Sequence, residues 1–218
     1  MLVGYALGQK NLSDAKRYFT TALTLSVGIG LLLALFGGLI FPDQTARLLC
    51  SNEQLLPLAR DYMQVLLIGN PAFILMWGLS TMVGVDGRPR LVSVAVIVDN
   101  VVNLCLDIVF IQWFGWGITG SSAATVVGHL VGIAILLSHW LKPEHRSLTL
   151  HYSLITLHSS IKKILSQGAP LAIASISLTL LLLSANTIVL STLGHTGIFA
   201  FAVCMNLLQV YNLFLSGT

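Results

Sequence analysis

The chain has 218 residues, of which 56% are hydrophobic and only 9% are charged. A soluble domain of this length would carry roughly 55 charged side chains, whereas this chain has 11 basic and 8 acidic residues, which excludes an ordinary soluble protein. Runs free of Asp, Glu, Lys and Arg are long enough to cross about 30 Å of hydrocarbon as helices. These runs are Thr20–Pro42, Tyr62–Val85, Ile108–Leu141 and Ile164–Thr218.

Turn-forming residues divide the apolar runs into six predicted membrane-spanning segments. The segments are Thr20–Phe41, Tyr62–Val85, Leu91–Gln112, Ile118–Leu141, Ile164–Leu193 and Ile198–Ser216. Because backbone that faces lipid must be fully hydrogen-bonded, only helices or a closed barrel can span the membrane, and charge-free runs of this length exclude the barrel. The predicted fold class is therefore all-α, a polytopic bundle of six transmembrane helices. The opening, Met1–Phe19, is predicted to be a loop, and Pro71 predicts a kink in the second segment.

The connections predict both orientation and domain organisation. Nine of the eleven Lys and Arg residues lie in Met1–Phe19, Asp86–Arg90 and Lys142–Lys163, which places these segments in the cytoplasm. Since the last of them is the longest polar connection, it predicts a linker at 142–163 between two groups of helices. Residues 1–141 would form part of an amino-terminal lobe with four helices, and 164–218 the start of a carboxy-terminal lobe with two.

Polar residues on the third segment are the strongest candidates for function. Asp99, Asn103 and Asp107 recur at every fourth position and so share one helix face, with Asn100 beside them. Placing a carboxylate near the centre of a membrane-spanning helix costs on the order of 3 kcal/mol in free energy. This face must therefore turn away from lipid.

Depth along the hairpin suggests partners for that face. Asp107 and Thr125 both lie about 9–10 Å below the outer turn, and His129 is level with Asn103. Carboxylate, amide and hydroxyl oxygens suit Na⁺, and a carboxylate withdrawn from water suits H⁺. We predict that Asp107, Asn103 and Thr125 form a cation-coupling site. A substrate or proton path is predicted at Asp99, Asn100 and His129. The alternative is that Asp107 is protonated and only fixes the register of the helices.

Other features favour packing or solvation. Small residues at every fourth position of the fourth segment predict close helix packing, at Gly120, Ala124, Gly128 and Gly132. His139 lies at the membrane edge and is interpreted as a solvated loop residue. Phosphate-binding loops, HExxH and nucleophile elbows do not occur, which counts against an enzyme, and no cofactor or metal is expected. The net charge of +3 is explained by orientation rather than by nucleic acid binding.

Three segments resemble motifs of the multidrug and toxic compound extrusion (MATE) family. They are Gly84–Arg90, similar to its Gly-Arg-Pro loop, Asn103–Asp107, similar to its N-x-x-x-D helix, and Gly115–Thr125, similar to its G-x-x-G-A-A-x-A-T turn. The resemblance covers essentially the whole chain and implies helices three to eight of a twelve-helix, two-lobe transporter. The other helices, including a first helix whose Asp joins the family's cation site, would be partners of this chain. Ser121 and Ser122 are departures, near positions where the family more often has Ala.

The resemblance implies a secondary active transporter of the bacterial inner membrane. Such a protein exports organic cations or amphipathic compounds in antiport with H⁺ or Na⁺. One alternative is a lipid-linked oligosaccharide flippase of the same superfamily, which would be expected to line its cavity with several Arg, whereas no predicted span contains Arg or Lys. Another is a fragment or assembly subunit that does not transport.

Overall fold

A computed structural model describes residues 2–50, 53–141, 147–150 and 154–216, and the regular structure within these ranges is helical. The α-helices are α1 (Leu2–Gly8), α2 (Leu12–Leu33), α3 (Pro42–Leu49), α4 (Leu56–Ile68), α5 (Asn70–Val85), α6 (Pro89–Ile108), α7 (Gly117–Leu137) and α8 (Leu154–Ser216). Two of them continue into π-helical turns, α2 through Ala34–Ile40 and α6 through Val109–Trp113, and α7 continues into a 3₁₀ turn at Ser138–Leu141.

The opening of the chain is helical, so the prediction of a loop there was wrong. Val3 and Ala6 of α1 are buried against Ala15 and Phe19 of α2. Asn11 caps α2, because its side chain accepts a hydrogen bond of 3.1 Å from the backbone N–H of Asp14. Apolar packing and the cap start the helix at Leu12, before the charge-free run begins.

The second predicted segment is bent, as Pro71 predicted. Helices α4 and α5 meet at an angle of 49°. Pro71 lies in the first turn of α5, where its missing N–H costs no hydrogen bond. At the junction, Gly69 lies so close to Val126 of α7 that a Cβ on it would overlap that side chain.

Helices α5, α6 and α7 enclose the main apolar core, which includes Met76, Leu79, Val83, Ala95 and Leu136. The small residues of α7 are also buried, which confirms their predicted role in packing. A Cβ on Gly128 would lie 2.6 Å from Oδ1 of Asp99 and 2.9 Å from its backbone oxygen. Only glycine lets α6 approach α7 this closely.

The helix that contains the fifth predicted segment, α8, begins at Leu154, and the part of it that is apolar enough to cross a membrane, Ser160–Gly194, agrees with the predicted Ile164–Leu193. Gly194 interrupts α8 with φ 63° and ψ −158°, at the predicted break between the last two spans. Residues 142–146 and 151–153 of the predicted linker lie outside the described residues. The chain divides into two compact units, Met1–Ile164 and Leu165–Thr218. The assignment of lobes stays a prediction.

The helices confirm the predicted fold class. Within the described residues, Leu12–Ile40, Pro89–Trp113, Gly117–Leu141 and Ser160–Gly194 are long and apolar enough to cross a membrane. The bent pair Leu56–Ile68 and Asn70–Val85 provides a further span if it is counted as one. Thr196–Leu208, after the break at Gly194, is a shorter apolar helix.

Candidate cation-coupling site

Helices α6 and α7 are joined by two side-chain pairs, which we call the polar ladder. Asn103 Nδ2 donates a hydrogen bond of 3.0 Å to Thr125 Oγ1. One turn further from the connecting loop, His129 Nδ1 lies 2.8 Å from Oδ2 of Asp99. Each step of four residues forward along α6 is thus matched by four residues backward along α7, as antiparallel helices require.

The Asp99–His129 pair is largely withdrawn from solvent. Asp99 is 6% exposed, and the His129 side chain is 16% exposed. The imidazole also meets the ring of Phe73 edge to face, with the ring centroids 4.4 Å apart. Because each polar group has a partner, this end of the ladder offsets the cost of burying a carboxylate in the bundle.

Asp107 occupies the next turn of α6 and differs from Asp99. Its Oδ1 is buried and has no hydrogen-bond partner among the described residues. Leaving a buried polar atom unpaired costs about 1–3 kcal/mol, and more when the group is charged, so such an atom needs an explanation. A bound cation or proton at this carboxylate would supply one.

One turn of α6 away from Asp107, the Asn103–Thr125 pair carries oxygens of the type that cations bind. Asn103 uses its amide N–H on Thr125, and its carbonyl oxygen remains a possible ligand. The Thr125 hydroxyl donates to the backbone oxygen of Ser121 at 3.0 Å, so its proton points away and a lone pair remains. The site thus offers neutral oxygens next to one carboxylate, the donor set that hard cations prefer.

The predicted depths were wrong by one helical turn. Thr125 pairs with Asn103 rather than lying level with Asp107, and His129 pairs with Asp99 rather than with Asn103. The π-helical turn Val109–Trp113, which ends the α6 segment, contributes part of this difference. Its hydrogen bonds run from i to i+5, so these residues advance less along the axis than α-helical residues do, and Asp107 lies nearer the connecting loop.

Asn100 does not join the ladder. Its side chain is exposed, and Nδ2 donates to the backbone oxygen of Val96 on the same helix at 2.7 Å. The remaining predicted site residues, Asp99, Asn103, Asp107, Thr125 and His129, lie along the facing sides of α6 and α7. Sequence reasoning also missed Asn70 at the bend, whose Nδ2 is buried without a partner among the described residues.

A second buried carboxylate lies at the other end of this hairpin, and sequence reasoning missed it. His139, predicted to be solvated, is 0% exposed, and its Nε2 lies 2.8 Å from Oδ2 of Asp86. The same oxygen accepts hydrogen bonds from the backbone N–H groups of Ser147 at 3.1 Å and Leu148 at 3.3 Å. We call these four residues the Asp86 cluster. His139 Nδ1 has no partner within the described ranges.

Comparisons with known proteins agree with this fold. The MatE family model matches residues 1–109, half of the chain. The probable multidrug resistance protein YoeA of Bacillus subtilis (strain 168) is 28% identical over 149 residues, which cover 66% of this chain and 32% of that protein. The chain therefore spans about a third of the length of this curated relative.

Solved structures show the same fold. A MOP superfamily transporter from Pyrococcus furiosus Vc1 (DSM3638) matches 95% of this chain and 46% of its own, with a TM-score of 0.80 and 20% identity. A multidrug resistance MATE family transporter in its outward-facing conformation matches 96% of this chain and 46% of its own, with a TM-score of 0.78 and 18% identity. The predictions of a multi-pass membrane protein and of the family are confirmed, and a bacterial inner membrane fits the Bacillus relative. The chain belongs to the MatE family.

Proposed function

We propose that the protein is a secondary active transporter that exports organic cations or other amphipathic compounds in antiport with H⁺ or Na⁺. The observation that carries the proposal is Oδ1 of Asp107, which is buried in a membrane helix and has no hydrogen-bond partner within the described ranges. Ionisable side chains inside membrane helices mark ion and substrate paths. Burying such a side chain in the membrane is costly, so these residues are rare except where they have a function. The names of the relatives support multidrug export as the substrate class.

The charge of the spans favours cationic substrates. Asp99 and Asp107 are the acidic residues of the six predicted segments, and these segments contain no Lys or Arg. An anionic substrate would meet no compensating charge from these helices, whereas an organic cation would be attracted to them. This charge pattern favours multidrug export over the transport of an anionic lipid-linked sugar.

The proposed mechanism is thermodynamic linkage between cation and substrate. A cation bound at Asp107 neutralises the carboxylate and removes the cost of its burial, so it stabilises whichever transporter state encloses the site. If substrate favours a different state, each ligand lowers the affinity for the other by the same factor. Asn103 and Thr125 would supply neutral oxygens to the cation, and their mutual hydrogen bond fixes both side chains. No cofactor is required for this cycle.

Transport by the protein reconstituted into liposomes tests the proposal. We expect an imposed Na⁺ or H⁺ gradient to drive uptake or release of a fluorescent organic cation. Asp107→Asn keeps the size of the side chain and removes its charge. Gradient-driven transport should then fall on the order of tenfold or more, because a cation that binds both transporter states equally cannot shift the equilibrium between them. Asp61→Asn makes the same change at an exposed residue and should transport like wild type. Equal rates for Asp107→Asn and wild type would contradict the proposal.

A further inference from the structure

An apolar cavity lies at the predicted cytoplasmic end of the first compact unit. Its volume is about 360 Å³, within the range of small-molecule sites. Three helical segments and residues 147–150, which we call the strap, provide its lining. The lining includes Phe19 and Leu23 of α2, Leu79 of α5, Trp140 after α7, and Leu150 of the strap. The cavity is therefore large enough for part of a lipid or of a drug-sized compound.

The strap is held in place as one wall of this cavity. Asp86 accepts hydrogen bonds from the backbone N–H groups of Ser147 and Leu148. The indole Nε1 of Trp140 donates to the backbone oxygen of Leu148 at 2.7 Å, and Leu148 is 0% exposed. Trp140 also stacks on Phe19, with the ring centroids 5.8 Å apart. The walls are thus fixed before a ligand binds, which lowers the entropy cost of binding.

The lining accepts an apolar group and no charge. Thr149 is the polar residue of the lining apart from the indole of Trp140, whose N–H is already bonded to the strap. A charged group placed inside would lose its water without gaining a partner of opposite charge. Trp140 follows the end of α7, where an indole marks the boundary between acyl chains and head groups. The cavity is therefore placed to receive the apolar part of an amphipathic molecule.

Basic side chains surround the entrance to this region. Lys16 lies one turn before Phe19 on the same face of α2. Tyr18, the residue before Phe19, lies beside two cations. Lys163 Nζ is 3.4 Å from its hydroxyl oxygen, and the Arg17 guanidinium is 5.3 Å from its ring centroid. The apolar cavity thus adjoins positive charge at the membrane edge.

Acidic side chains do not cancel this charge. Asp14 and Asp86 are the acidic residues in the described parts of the predicted cytoplasmic segments. Asp14 pairs with Arg17 at 3.2 Å, and Asp86 is buried and pairs with His139. An organic cation would therefore be repelled here, whereas an anionic head group would be attracted.

We propose that the cavity binds one acyl chain of an anionic phospholipid from the cytoplasmic leaflet, with the head group beside Lys16 and Lys163. The site lies among α2, α5, α7 and the strap, whereas the polar ladder lies between α6 and α7. Its ligand is neither the exported compound nor the coupling ion. A lipid bound there contacts all four walls and so stabilises the first compact unit.

Thermal unfolding of the purified protein in detergent measures this binding. Phosphatidylglycerol and phosphatidylcholine with identical acyl chains are the probes. A ligand that binds only the folded state raises Tm as its concentration exceeds Kd. We expect phosphatidylglycerol to raise Tm at lower concentrations than phosphatidylcholine. Equal effects of the two lipids would overturn the choice of an anionic lipid.

Leu137→Trp tests the cavity itself. Leu137 lines the cavity and is 50% exposed, so a larger side chain can enter the cavity from its edge without overpacking the buried core. The apparent Kd for phosphatidylglycerol should rise about tenfold, the effect of excluding about two CH₂ groups. Leu130→Trp is the matched control, because Leu130 lies on the same helix, is 52% exposed and does not line the cavity. An unchanged Kd in Leu137→Trp would overturn the site.

Lys163→Gln tests the head group. It keeps a hydrogen-bond donor near Tyr18 and removes the charge, so the preference for phosphatidylglycerol should fall about fivefold, the effect of one basic residue near a membrane surface. Arg47→Gln removes a charge at the predicted outer side and should leave the preference unchanged. Equal preferences in Lys163→Gln and the wild type would overturn the placement of the head group.

The exported compound is the rival occupant. If a fluorescent organic cation raises Tm of the wild type but not of Leu137→Trp, while phosphatidylglycerol stabilises both equally, the cavity binds the transported compound and the proposal is overturned. None of these lipid measurements bears on the proposed function, which transport in liposomes tests separately.

Discussion

Asp86 and Asp107 are both partly or wholly enclosed carboxylates in the same compact unit, yet their surroundings differ. The side chain of Asp86 is 1% exposed and is held by His139 and by two backbone N–H groups. Asp107 has a buried oxygen that no described residue contacts through a hydrogen bond. Removing one partner of a fully paired buried charge is strongly destabilising, whereas a buried charge left unpaired calls for an explanation, such as a bound ion.

The polar ladder repeats this contrast within one helix pair. Asp99 is paired with His129, the next step is a neutral pair, and Oδ1 of Asp107 has no hydrogen-bond partner in the part of the chain that the structure describes. Pairing thus decreases along α6 toward the connecting loop. We interpret the paired steps as the support that holds α6 and α7 in register, and Asp107 as the group that this support presents to the cation.

The largest effect on stability is expected at the Asp86 cluster. Asp86→Ala leaves His139 and two backbone N–H groups buried without their acceptor, so the free energy of unfolding should fall by about 3–5 kcal/mol. Asp61→Ala, at an exposed position, should change it by less than about 0.5 kcal/mol. Chemical unfolding in detergent measures both. A loss below about 1 kcal/mol for Asp86→Ala would show that the cluster does not stabilise the fold.

A smaller loss is expected where the ladder requires close helix packing. Gly128→Ala forces a methyl group against Asp99 and should cost about 1–3 kcal/mol. Gly78→Ala is the matched control, because Gly78 lies within α5 with nothing inside 4 Å of its Cβ position. The control should be neutral or stabilising by up to about 1 kcal/mol. Similar losses in both variants would mean that the contact between Gly128 and Asp99 is not tight.

The smallest effect is expected for the neutral step of the ladder. A double-mutant cycle with Asn103→Ala and Thr125→Ala should give a coupling energy of about 0.6 kcal/mol, the average for side-chain hydrogen bonds between membrane helices. Thr125→Ala should also slow ion-driven transport less than Asp107→Asn does, because it removes a neutral ligand and not the charge. A coupling energy near zero would show that the two side chains do not interact in the membrane.

Much of the fold was predictable because its signals are local. Gly87 and Gly115, with φ of 90° and 66°, and Gly194 lie in the connections where glycine-rich turns were predicted. Pro71 likewise predicted the bend before α5. The start of α2 was missed because its first turns carry charge, and their burial depends on packing against α1.

The sequence predicted which face of α6 carries the site, but it did not predict which residues of α7 pair with that face. Periodicity of four places Asp99, Asn103 and Asp107 together, as found. Their partners depend on the geometry of the whole α6–α7 connection, including the π-helical turn at Val109–Trp113, for which the sequence has no signal that we recognised. His139 was misjudged for a similar reason, since its partner Asp86 is 53 residues away and burial of the pair depends on how α5 and α7 end.

The most direct test measures transport and stability together in Asp107→Asn and Asp86→Asn. If the paired Asp86 stabilises the fold and the unpaired Asp107 binds the coupling cation, Asp107→Asn should lose ion-driven efflux in liposomes. Its Tm without Na⁺ should equal that of the wild type or rise, because an unpaired buried charge has been removed. Asp86→Asn should show the opposite pattern, with a lower Tm and with transport per folded molecule retained. A variant Asp107→Asn that transports normally, or that unfolds as readily as Asp86→Asn, would contradict the account.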